Sequence, residues 1–165
     1  MIYLNHAGTS WPKPEAVLEV ADHVYQQGPA AWPNLFAEAH GAIADFFHVD
    51  KSRLLLTPSC TTALNLAITD HLWQPGDRVL TTCFEHHALW RNLEHLEHRG
   101  VQVITVPPNE SEMVDLERLR TELGNDRTRL VAMTAACNVT GWLLPIRDVL
   151  ELSQHANVPV LLDGA

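Results

Sequence analysis

Five short runs, residues 53–57, 78–82, 101–106, 129–134 and 158–162, are apolar without the polar alternation of a half-solvated strand. A strand with one wet face alternates at every second residue, whereas an unbroken apolar run suits a strand covered on both faces. Helical stretches separate these runs. Residues 62–73 follow the first, and Leu89, Leu93 and Leu96 share one face of a helix over residues 87–98. Leu116, Leu119 and Leu123 share another, with Asp115 placed to cap it and Gly124 to end it. Ile146, Val149 and Leu150 form a third face after Pro145, a good first helical residue. Strand and helix in alternation, joined by right-handed crossovers, predict an α/β fold with a mainly parallel sheet and helices on both faces.

The first fifty residues break this rhythm. Pro12 and Pro14 introduce a helix through Val17, Leu18, Ala21, Val24 and Tyr25 that ends near Gly28. A loop over residues 29–34 then leads to a helix bearing Leu35, Phe36, Ala39, Ile43, Phe46 and Phe47. The expected division is a helical segment over 1–50 and an α/β domain over 51–165.

Composition removes several classes of function. A formal net charge of -9 argues against nucleic acid, because phosphate backbones need clustered Lys and Arg. The chain has two lysines, Lys13 and Lys51, far apart in sequence. No stretch reaches the ~20 apolar residues of a membrane span, and the N-terminus lacks a basic start and apolar core. Cys60, Cys83 and Cys137 are an odd set without CxxC spacing, which predicts reduced thiols and a cytoplasmic location. No metal is expected: His95 and His98 face away from the leucine stripe, and zinc takes three or four convergent ligands.

The polar groups at the strand ends are the candidates for chemistry, since open parallel sheets bind ligands outside the carboxyl ends of their strands. Ser59-Cys60-Thr61-Thr62 opens a helix, where free backbone N–H groups and the dipole favour a phosphate; alternatively, Thr61 or Thr62 only caps the helix. There is neither a GxxxxGK[ST] nor a GxGxxG pattern, so no nucleotide is indicated. In Glu85-His86-His87 an imidazole at a strand end can stack on an aromatic ligand, or cap the helix that follows. Asn138 lies in a turn closed by Gly141, a common place for Asn on local grounds. Asp163 ends an interior strand with no basic neighbour, and a buried carboxylate needs a partner. A protonated heterocyclic nitrogen would satisfy it by a charge-assisted hydrogen bond and would be held as a cation, the electron sink of pyridoxal phosphate chemistry.

These stretches together resemble the N-terminal part of class V aminotransferase-fold enzymes of the cysteine desulfurase-like group. The resemblance is carried by residues 2–10 with Pro12-Lys13-Pro14-Glu15, Ser59 to Asn65, Glu85-His86-His87-Ala88, Asn138-Val139-Thr140-Gly141, Leu144-Pro145-Ile146 and Leu162-Asp163-Gly164-Ala165. It implies the fold of pyridoxal-phosphate-dependent transferases of type I, here an incomplete large domain. It also implies a homodimer, an amino-acid substrate (cysteine first) and a sulfur-acceptor protein. By position, it implies that Cys60 and Thr61 hold the phosphate, that His86 stacks on the ring as the catalytic histidine, that Asn138 contacts the ring oxygen or substrate, and that Asp163 binds the ring nitrogen. Asn5, His6 and Ala7 would lie near the substrate.

Departures from the family pattern are Ser59-Cys60 in place of a Gly or Asn pair, Cys137 in place of Ser, and the bulky Trp142. The Schiff-base lysine of such enzymes follows the Asp-Gly-Ala, and none is present here. The chain is therefore expected to be a fragment or truncated product, inactive alone, of a cysteine desulfurase. A class V aminotransferase or another lyase of the same cofactor is the alternative.

Overall fold

The computed structural model describes residues 2–6 and 8–165. The chain divides into two compact units, Met1–Leu56 and Thr57–Ala165.

The first unit is helical. Helix α1 (Glu15–Gln26) follows Pro14, and α2 (Trp32–Phe46) begins at Trp32, three residues into the segment read as loop. Pro33 accounts for the difference: in a first helical turn its missing N–H has no intrahelical acceptor to serve, so proline starts this helix instead of breaking it. The strand expected over residues 53–57 does not form. Lys51–Arg53 is a 3-10 turn capped by the Asp50 carboxylate, which accepts from the Ser52 amide at 2.7 Å. The Leu54 carbonyl takes its hydrogen bond from His40 Nε2 at 3.0 Å, and Leu55 is 72% exposed. An apolar run becomes a strand only with a neighbour to pair, and this one has none among the described residues.

The second unit is the α/β body. Its elements are α3 (Cys60–Thr69), β1 (Arg78–Thr82), α4 (His87–Glu97), β2 (Gln102–Val106), α5 (Leu116–Leu123), β3 (Thr128–Thr134), α6 (Ile146–His155) and β4 (Val160–Asp163). All pairings are parallel, in the order β2-β1-β3-β4. Alternate strand residues enter opposite cores. Val79, Leu130 and Ala132 pack with Leu64 and Ile68 of α3 and with Leu89, Leu93 and Leu96 of α4. Leu80, Val131 and Met133 pack with Leu119 and Leu123 of α5 and Val149 of α6. The continuous apolar runs thus have the predicted cause, helices on both faces. Because the strands are parallel, their carboxyl ends share one edge, where residues 83–86, 135–144 and 163–165 emerge.

Candidate functional site

Asp163 closes β4 opposite Thr134 of β3 and is 5% exposed. Its Oδ1 accepts the Cys60 Sγ–H at 3.4 Å and the Ala165 N–H at 3.1 Å. None of the ion pairs among the described residues includes it. Partial burial, and then this carboxylate, hold the Cys60 thiol above its usual pKa, so it stays a donor. The Cys60 side chain is therefore engaged with Asp163, and its backbone amide is the group left for an anion.

That amide opens α3. The helix is capped by Ser59, whose Oγ accepts from the Thr62 N–H at 3.2 Å, rather than by Thr61 or Thr62 as the simpler reading had it. Among the described residues no acceptor takes the amides of Cys60 and Thr61, and the first turn carries no acidic side chain. Uncompensated N–H groups at a dipole's positive end suit a phosphate.

His86 sits at the end of the β1 connection as the N-cap of α4, its Nδ1 accepting from the Ala88 N–H at 3.1 Å. The capping alternative is thus realised. It also fixes the tautomer, because an accepting Nδ1 leaves the ring proton on Nε2. A cleft of about 590 Å³ opens between the first turns of α3 and α4, with Thr61, Thr62 and His86 in its walls beside Asn65, Arg91 and Asn92. Asn65 Nδ2 donates to Asn92 Oδ1 at 2.6 Å and ties the two helices together.

Asn138 and Asp163 do not line that cleft. Asn138 is exposed on the loop after β3, where Gly141 at φ +74 turns the chain so that its N–H reaches the Cys137 carbonyl at 2.8 Å. Asn5 and His6 belong to the first unit; the Asn5 carbonyl accepts from Gly8 and Thr9, and the His6 ring meets Tyr3 edge-on at 5.0 Å. Ala7 lies outside the described residues. Among the described residues no three His, Cys, Asp or Glu side chains are grouped to hold a metal.

Sequence reasoning passed over Glu85. Burial pushes its carboxyl up to about 7 against hydrogen bonds from Thr82 and the Thr134 amide that pull it down, with Asp163 adding to the rise. Cys137 moves the other way: hydrogen bonds from Thr140, side chain first, pull its thiol down.

The class-V aminotransferase family model matches residues 2–165. A cysteine desulfurase of Yersinia pestis is 31% identical over the whole chain. The chain spans 44% of that relative's length. The crystal structure of an Escherichia coli cysteine desulfurase superposes with a TM-score of 0.78 at 27% identity, over 93% of this chain and 42% of that one. A C-DES variant with glycine covalently linked to its PLP cofactor superposes with a TM-score of 0.75 at 25% identity, over 91% of this chain and 42% of that one.

Proposed function

Because the chain belongs to the class-V aminotransferase family, we propose that it is the cofactor-binding part of a pyridoxal-phosphate enzyme acting on an amino acid, with L-cysteine desulfuration as the reaction. The observation that carries this reading is Asp163, a buried carboxylate at the carboxyl edge of a parallel sheet, held by one thiol and one backbone N–H and by no cation among the described residues. That donor set fits a protonated ring nitrogen, the partner a buried carboxylate requires. The names of the relatives support cysteine as substrate.

When bound, pyridoxal phosphate supplies a cationic ring that draws electron density from the substrate's α carbon. The chain's own residues do the rest. Asp163 holds the proton on the ring nitrogen, and the Cys60 thiol orients the carboxylate for that task. The amides of Cys60 and Thr61, with the Thr61 hydroxyl, hold the phosphate at the start of α3. His86, pinned at Nδ1 by its cap, presents a ring of fixed tautomer to the cofactor. Asn138 offers an amide donor at the same edge. Asn5, His6 and Ala7 are assigned to the substrate. The intact enzyme is a cytoplasmic homodimer that passes sulfur to an acceptor protein.

The test is an absorbance titration with pyridoxal phosphate. Asp163→Asn keeps the shape and removes the charge, so its affinity should fall roughly ten- to hundredfold, the worth of a hydrogen bond to a charged group. Equal affinity in the two proteins would remove the basis of the assignment.

A further inference from the structure

Glu85 and Asp163 flank the same residue. Thr134 of β3 faces Asp163 in the β3–β4 register, while its backbone amide lies on the Glu85 side closely enough to act on that carboxyl. Adjacent strands lie about 4.8 Å apart, so two carboxylates end up within two strand spacings of each other at one sheet edge. Glu85 is anchored at Oε1, which accepts the Thr82 N–H at 3.3 Å and the Thr82 hydroxyl. Its other oxygen, Oε2, is buried with no hydrogen-bond partner. The other titratable group facing it is the Cys137 thiol on the loop after β3; Thr82 and Thr134 are neutral. No ion pair among the described residues includes either carboxylate.

An ionised Oε2 without a donor costs far more in such surroundings than a neutral hydroxyl without an acceptor. We propose that Glu85 is the proton-holding partner of Asp163: the two carboxylates keep one proton near neutral pH, and a cation docked on Asp163 expels it from Glu85 to solvent. The identity of that cation as a pyridinium rests on the function proposed above. Glu85 is then a positioning residue. It touches no cofactor, and it keeps the edge at a single negative charge until a positive one arrives. Burial sets most of the proton's hold on Glu85 and Asp163 adds the part that a ligand can switch.

Carbon-13 NMR of labelled glutamate carboxyls in the ligand-free chain, with the Glu85 signal assigned by its loss in Glu85→Gln, reads the midpoint directly. The expected midpoint is near 7. It should move down in Asp163→Asn, and down again in wild-type protein saturated with pyridoxal phosphate. A wild-type midpoint in the ordinary glutamate range overturns the proposal without any substitution that could unfold the protein. So does a midpoint that Asp163→Asn leaves in place, or one unmoved when absorbance shows the cofactor bound. If pyridoxal phosphate does not bind at all, the function reading fails, while the Asp163→Asn comparison still decides the pairing.

Discussion

At the scale of single residues, Glu85 makes stability depend on pH in an unusual direction. Its folded pKa of about 7 stands above an ordinary 4.5. Between those values the folded chain holds a proton that the unfolded chain has lost, so stability falls as pH rises through that window and is level above it. The full difference corresponds to about 3 kcal/mol. Glu85→Gln imitates the protonated form and should abolish the slope: thermal unfolding would match wild type near pH 5 and exceed it near pH 8. A variant that melts with the wild-type pH dependence would show that another group titrates. Asp163, His86 and Asn138 could be proposed from sequence because each ends or follows a strand in a pattern visible locally. Glu85 could not be weighed in the same way, since groups that act on its carboxyl include Thr134 and Asp163, 49 and 78 residues away.

At the scale of elements, the helices were readable wherever a stripe of leucines met a cap. Leu89, Leu93 and Leu96 are all fully buried, and Asp115 accepts from the Arg118 amide at 2.9 Å as its place before α5 demands. The strand that failed, residues 53–57, had the right apolarity and no partner among the described residues, and pairing is a property of two segments that one segment does not encode. His86, the cap of α4, is also assigned to the site by the function proposed above. As the cap of α4 its Nδ1 serves the helix; on the function proposed above, the same imidazole would also meet the cofactor ring. Two substitutions separate these duties. His86→Ala should cost about 1 kcal/mol in thermal unfolding through loss of the cap. His86→Asn should recover that stability, because an amide oxygen caps as well, yet leave the absorbance of added pyridoxal phosphate altered just as in His86→Ala. Full recovery of both stability and spectrum by Asn would confine His86 to capping.

At the scale of the whole molecule, the decisive fact is where amines occur. The chain has two lysines, Lys13 and Lys51, and both lie in the first unit. Lys13 is exposed, with its Nζ 3.3 Å from the Thr9 hydroxyl, and Lys51 is exposed on the 3-10 turn with its ammonium against Gly41. Covalent capture of an aldehyde at a specific site needs an amine activated by desolvation or by a neighbouring cation. Both lysines are exposed, so neither is desolvated. On the function proposed above, the α/β unit would hold pyridoxal phosphate through Asp163, Thr61 and His86, and it has no lysine of its own. The cofactor should bind to this 165-residue chain reversibly and leave on dialysis. Borohydride reduction followed by peptide mass spectrometry checks this: sparse labelling spread over Lys13, Lys51 and the N-terminus is expected, with no sulfide released from cysteine. A stoichiometric adduct at one lysine, together with sulfide release, would mean that this chain activates an amine that its surroundings in the structure leave in water.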